Sequence, residues 1–364
     1  GLPASARREG MRLLATVEYD GTDFAGFQLQ AHRGRRPRTV QAELERAVAP
    51  LAGYPHFLQR PVSPDRTESR QGPEGPGGTE GPGGPQQGEA GDTSGATGPG
   101  TAPRIVGAGR TDAGVHAAGQ VVHLDTEAPL AADPPRFLQA WNARLPRDVA
   151  VLALRHVPPE IHARYSARSR TYAYRILNGG QRSPLLRRYT HHLRQPLDLA
   201  AMRAAAAHLL GVHDFAPFGA QEGPGRTVRE VLRATVLQHR VPDGAGQWAN
   251  PLAIWHTLSQ TVAQSPGWLH GPAHPGPASP AGVGPEPGAL ALPAPSLVTI
   301  EIEANAFLRH MMRRIVGTLV EIGLGRRPAD DVASILATGA KARVGQAAPA
   351  CGLCLQCVRY NLDG

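Results

Sequence analysis

Apolar and polar residues alternate through residues 12–20, with Leu13, Ala15, Val17 and Tyr19 on one side, and this period of two predicts a half-buried strand. Thr39 reads as the N-cap of a helix that carries Val40, Leu44, Ala47, Val48 and Leu51 on one face. A short apolar run at 104–106, a strand at 120–125, a helix at 134–145 with Phe137, Leu138 and Trp141, and a strand at 149–157 follow. The later part of the chain repeats this order. It offers a strand at 171–178, an alanine-rich helix at 199–210 ended by Gly211, and a strand at 228–240. Then come its hairpin partner at 297–304, a long helix at 305–323, an extra helix at 329–337 and a closing strand at 352–360. On the long helix Phe307, Met311, Ile315 and Leu319 form one apolar row and Leu308, Met312, Val316 and Val320 the next, with Arg309 and Arg313 at the border of that arc.

Two β-α-β-β-α-β series in tandem predict an α+β fold. Each series suits a ferredoxin-like unit with a mainly antiparallel sheet and helices on one face. The expected domains are residues 12–157 and 158–361. Two Gly/Pro-rich stretches interrupt them. Residues 64–103 contain no Leu, Ile, Val, Phe, Met, Trp or Tyr, so nothing there offsets the entropy of ordering, and a disordered insert is expected. Residues 241–295 differ in holding Trp248, Trp255 and Trp268, and are expected to dock on their own domain, with a partner or RNA contact as the alternative. The 269 residues outside these inserts suit two such units.

Charge and cysteine usage narrow the function classes. The net charge of +8 and pI near 10.0 come almost wholly from arginine and favour a polyanionic partner. No apolar run reaches the length of a membrane span. The first ten residues lack the apolar core of a secretory signal, Met11 is a candidate start, and the cytoplasm is the expected compartment, with a short Arg-rich transit segment as the alternative. Cys351, Cys354 and Cys357 have a spacing that raises a metal question. Placed along a strand, Cys354 would face away from the other two, so structural thiols are expected.

The candidate chemistry sits in Gly107-Ala108-Gly109-Arg110-Thr111-Asp112-Ala113-Gly114-Val115-His116-Ala117. Glycine allows backbone approaches that other residues resist, so such a loop can push one side chain out to a ligand. It is no P-loop, because Val115-His116 stands where Lys-Ser or Lys-Thr is required, and no dinucleotide loop, because Asp112 stands where glycine is needed. A capped hairpin turn is the bland reading. Upstream, His32, Arg33, Arg35, Arg36 and Arg38 make a basic loop, either solvated surface or phosphate contacts.

The undecapeptide resembles the signature of the TruA-type tRNA pseudouridine synthases. Glu18-Tyr19-Asp20-Gly21 with Gly26-Phe27-Gln28-Leu29-Gln30 resembles the family's first segment, with Phe27 where a tryptophan is usual. Asn142-Ala143-Arg144-Leu145-Pro146, His162-Ala163-Arg164-Tyr165-Ser166-Ala167 with Arg170-Thr171-Tyr172-Ala173-Tyr174, and Leu209-Leu210-Gly211-Val212-His213-Asp214-Phe215 match further segments. Ala304-Asn305-Ala306-Phe307-Leu308-Arg309-His310-Met311-Met312-Arg313-Arg314-Ile315-Val316-Gly317 matches the last one. The resemblance implies conversion of uridine to pseudouridine in the anticodon stem-loop of tRNA, at positions 38 to 40, in a cleft between the two units. It implies a homodimer and neither metal nor redox cofactor. It makes Asp112 the catalytic carboxylate, Arg313 its partner and Tyr172 the residue that stacks on the flipped base, with Tyr174 as the alternative core tyrosine. Arg110 either fills the space the base leaves or holds a phosphate, and His116 either supports the loop or touches substrate. Whether Asp112 attacks C1′ or the uracil ring, or assists elimination, stays open. Loss of the aspartate, tyrosine or arginine would mark an RNA-binding protein without catalysis; all three are present.

Overall fold

The computed structural model describes residues 10–28, 37–52, 103–220, 227–239 and 296–362. The two Gly/Pro-rich stretches fall outside them apart from Pro103, as do His32, Arg33, Arg35 and Arg36. The first part of the chain gives β1 (Met11–Tyr19), α1 (Val40–Val48), β2 (Val106–Gly107), β3 (His116–Thr126), α2 (Pro134–Asn142) and β4 (Val149–Val157). The second gives β5 (Ala167–Asn178), β6 (His191–Leu193), α3 (Leu199–Ala207), β7 (Gly211–Asp214), β8 (Val228–His239) and β9 (Ser296–Ala304). After these come α4 (Met311–Gly323), α5 (Asp331–Thr338) and β10 (Leu353–Tyr360).

The strands form one sheet of ten, not one sheet per series. Its order is β4-β1-β3-β10-β5-β9-β8-β7, with β2 on β3 and β6 on β5. Most pairings are antiparallel. The two series are welded where β10 lies parallel to the start of β3, Cys354 opposite His116 and Leu355 opposite Ala117. The closing strand therefore lies between the two parts of the chain and places elements from both on one continuous surface.

Local signals explain most elements. Thr39 caps α1 as expected, its side chain accepting from the Ala42 N–H at 3.3 Å. Asp133 and Asp198 cap α2 and α3 in the same way. The alternating side of β1 is buried with Leu44, Phe137 and Trp141, and the Trp141 indole donates to the Leu44 carbonyl at 3.3 Å. In β5 and β9 one set of alternate residues, Tyr172, Tyr174, Ile176, Val298, Ile300 and Ile302, joins the main core. The other set includes bonded polar residues, with Ser169 donating to Glu303 at 2.6 Å and Arg359 of β10 on Glu303 at 3.5 Å, while Leu177 and Leu297 pack with Leu186.

Two local readings are corrected. The long helix starts at Met311, not at residue 305. Residues 305–310 cannot coil because their backbone groups are bonded across the chain: Asn305 N–H to Glu230 O at 3.0 Å, and Arg309 O from Ala220 N–H at 3.0 Å. Arg309 is thus off the helix, and Phe307 turns instead to the Tyr172 ring, 4.9 Å between centroids. Cys351 belongs to a short turn at Ala350–Gly352, ahead of β10, so the three cysteines do not share a strand. All three are free thiols. No helix among the described residues is long and apolar enough to cross a membrane.

Candidate active site

The loop between β2 and β3 is tied down on both sides before it presents anything. Ala108 N–H donates to Val121 O at 2.8 Å, and the Gln120 side chain donates to Gly109 O at 2.9 Å. The Tyr19 hydroxyl meets the Thr111 hydroxyl at 2.8 Å, and Thr111 O accepts from Phe27 N–H at 3.1 Å. The tight turn closes with Val115 N–H on Asp112 O at 3.1 Å and Gly114 N–H on Phe24 O at 3.2 Å. This explains why residues 18–27 accompany the signature: they form its cradle. Gly26 sits at φ 109°, and a β-carbon there would meet Thr111 O at 2.8 Å. A β-carbon on Gly21 would collide with the Val115 carbonyl.

Asp112 stands at the crest of this turn, part-buried. Its Oδ2 lies 3.4 Å from Arg313 Nη1 and 3.6 Å from His310 Nε2. Both side chains come from the start of α4, so carboxylate and arginine, 201 residues apart in sequence, meet where the two parts of the sheet join. The pair is single-pronged. Arg313 spends its Nε on Ala348 O at 2.7 Å, while Ala348 N–H donates back to Arg313 O at 2.9 Å. The two-way link to residue 348 fixes the arginine in place and leaves Nη1 for the aspartate.

Tyr172 reaches the same region from β5. It is 7% exposed and packs edge-on against Phe307, and a β-carbon on Gly109 would lie 4.0 Å from its hydroxyl. Burial, and then neighbouring charges that include Asp112, pushes its phenol well above the usual range. It is therefore a neutral hydroxyl at any working pH. Tyr174 on the same strand face is fully buried and its hydroxyl donates to Pro349 O at 2.9 Å, which makes it the core tyrosine.

The remaining predicted residues divide. Arg110 is exposed on the loop beside Asp112. Arg35 and Arg36 lie outside the described residues. Arg38 makes a two-pronged pair with Asp148 at 2.7 and 2.9 Å, bonds Glu43 at 3.1 Å and lies over the Phe24 ring. Its guanidinium already serves the fold. His116 is 5% exposed: its Nδ1 accepts from Gly21 N–H at 3.0 Å and its Nε2 faces Arg188 O at 2.8 Å. An accepting Nδ1 and a donating Nε2 describe a neutral ring that braces the loop against its cradle.

Burial pushes the His116 pKa down, and the opposing effect of Asp20 does not restore it. A histidine with a depressed folded pKa adds stability above the unfolded value near 6.5, and that stability is lost as pH falls through the folded value. Asn can keep the acceptor for Gly21 but cannot titrate. His116→Asn should therefore lower the melting temperature at neutral pH and flatten its decline on acidification. Half-buried His191, shifted in the same direction, should leave a residual slope. A decline as steep as that of the wild type would show that His116 does not titrate on unfolding.

Sequence reasoning overlooked two contributors. Arg170 on β5 is 8% exposed and donates to four carbonyls: Asn305 at 2.7 Å, Ala108 at 3.0 Å, Arg164 at 2.6 Å and Ala167 at 3.3 Å. It links the signature loop to the segment leading into α4. A buried arginine between polar neighbours on a strand was the only signal. His310 was read as a helical residue, and only its backbone reveals otherwise.

Comparison with known proteins identifies the family. The family model described as tRNA pseudouridine synthase matches residues 15–166 and 205–361, which include Asp112, His310 and Arg313. Tyr172 falls between the two matched segments. The chain is 32% identical over 346 residues to a tRNA pseudouridine synthase A of Halalkalibacterium halodurans, covering 94% of this chain and 90% of that one. It is 34% identical to that of Roseiflexus castenholzii (96% and 90% covered) and 36% identical to that of Moorella thermoacetica (96% and 99% covered). Matched along nearly its whole length, with the tethered loop and its aspartate inside the match, this chain belongs to the tRNA pseudouridine synthase family.

Proposed function

We propose that this protein is an isomerase that converts uridine to pseudouridine in the anticodon stem-loop of tRNA, at positions 38 to 40, with Asp112 as the reacting carboxylate. The observation that carries this reading is Asp112 on a loop bonded at both ends, 3.4 Å from the Arg313 guanidinium. The reaction balances without an outside reagent. The N1–C1′ bond breaks, the uracil turns, C5 bonds to C1′, the C5 proton leaves and N1 gains one. A carboxylate beside a developing electrophile at the sugar or the ring suits that sequence, as in glycoside cleavage. A uridine in a stem must first leave the helix. Arg110, exposed beside Asp112, would occupy the gap or hold a phosphate.

The family's working unit, two copies with RNA lying across both, and action in the cytoplasm belong to the same proposal. So does the reading of each half as a ferredoxin-like domain, which the order β4-β1-β3-β2 in one half and β10-β5-β9-β8 in the other supports. Arg35 and Arg36 are the proposed phosphate contacts ahead of α1. Arg38, engaged by Asp148, has the weaker claim.

Release of tritium from C5-labelled uridine in tRNA tests the function directly. No release from tRNA that the protein binds would reduce it to an RNA-binding protein. Tyr172 gives a finer test. Phe keeps the ring and removes the hydroxyl, whereas Ala removes both. If the ring supports the target base, Ala should cost about 1–3 kcal/mol more in kcat/KM than Phe, the usual scale for one stacked base. Equal, severe losses would assign the role to the hydroxyl.

A further inference from the structure

His310 breaks two local rules at once. It is the only non-glycine with a positive φ among the described residues, at φ 62° and ψ −3°. This left-handed region strains a residue that carries a β-carbon, and glycine or asparagine enters it more readily. His310 also occupies the N-cap of α4, where Ser, Thr, Asp or Asn would bond the first turn, yet its side chain makes no capping bond. The turn needs a left-handed residue there, but it does not need an imidazole. Local rules broken without a local return are expected where a side chain serves a site.

The return is visible in where the ring goes. The left-handed turn reverses the chain just before α4 and directs the imidazole to Asp112, with Nε2 3.6 Å from Oδ2. Among the described residues the ring has no other polar partner. Arg313 Nη1 approaches the same oxygen at 3.4 Å. The two groups thus hold Oδ2 from one helix start, three residues apart in sequence, and no described residue places a donor on Oδ1. Both distances are long for hydrogen bonds, and such contacts tighten when substrate closes a site.

We propose that His310 is a positioning residue for the reaction: with Arg313 it clamps Oδ2 of Asp112, so that Oδ1 is turned to the uridine. The strained backbone is what places the ring for that clamp. The inference rests on Asp112 being the reacting carboxylate.

The test is His310→Gly, which relaxes the backbone while deleting the ring, so folding is spared. Its melting temperature should stay within about 3 °C of the wild type, because glycine fits the turn. Its kcat on tRNA should fall roughly 10- to 100-fold, the scale for a misplaced reacting group. KM for tRNA should change less than about threefold, since phosphate contacts elsewhere hold the RNA. Imidazole added to saturation should restore much of kcat in His310→Gly and none in the wild type. His310→Gln, whose amide can reach Oδ2, should retain more activity than the glycine variant. A His310→Gly enzyme with kcat within about twofold of the wild type, inside the usual scatter of a neutral substitution, overturns the proposal. So does a slow variant that neither imidazole nor Gln improves, which would leave His310 a turn residue. Full activity in Asp112→Asn would instead remove the reading beneath it.

Discussion

Asp112→Asn should abolish pseudouridine formation, a fall of roughly 10⁴-fold or more in kcat, as expected when a reacting side chain is removed. Asn keeps the shape of the carboxylate and the loop's backbone bonds, so the protein should fold and bind tRNA within about threefold of the wild-type Kd. Arg313→Ala should cost roughly 10²- to 10³-fold, the scale for removing one aimed electrostatic donor. It removes the charge facing Oδ2 and also the bond to Ala348 that holds the start of α4 against residues 344–350. Arg313→Lys should rescue poorly. The arginine divides its work, Nε to the Ala348 carbonyl and Nη1 to the aspartate, and one ammonium cannot serve both. The double variant should be no slower than Asp112→Asn alone, since residues acting as one unit are not additive. Single-turnover rates with saturating enzyme would read all four. An Arg313→Ala enzyme within about threefold of normal would dissolve the pair.

Arg170→Met should produce the largest loss of stability in the site. The substitution keeps an unbranched apolar stem but strips the donors from the carbonyls of Asn305, Ala108, Arg164 and Ala167. Only the bond to Ala108 is fully buried, and an unpaired buried acceptor costs about 1–3 kcal/mol, while water recovers much of the loss at the three part-buried carbonyls. A total of roughly 2–4 kcal/mol would lower the melting temperature by about 5 °C or more. Activity should fall further than stability alone explains, because Ala108 belongs to the signature loop and Asn305 to the run that carries Phe307 and His310. Arg170→Lys should recover little, since a compact ammonium cannot reach carbonyls on both sides of the strand. A thermal melt within about 2 °C of the wild type would mean that the four carbonyls find other donors at little cost.

The sequence by itself determined what repeats locally. Period-two alternation gave β1, and a threonine before an amphipathic run placed the start of α1 at Val40. The resemblance of its motifs to the TruA-type synthases is what pointed to Asp112, Arg313 and Tyr172. Its overlong helix has a definite cause. The apolar spacing of residues 305–310 continues that of α4, so periodicity extends the helix, while cross-chain bonds from Glu230 and Ala220 hold that run extended. The same bonds, with the strained turn at His310, set the ring beside Asp112.

Only the tertiary structure decided how the two series join and what each charge does. A parallel contact of β10 with β3 makes one sheet, and no local pattern encodes which strand edge will meet which. Arg38, Arg170 and Arg313 look alike as sequence. One is bound by Asp148, one by four carbonyls, and one is divided between Ala348 and Asp112. A guanidinium has five donors and a long stem, so its role depends on which acceptors the fold brings within reach, and those acceptors come from segments distant in the chain.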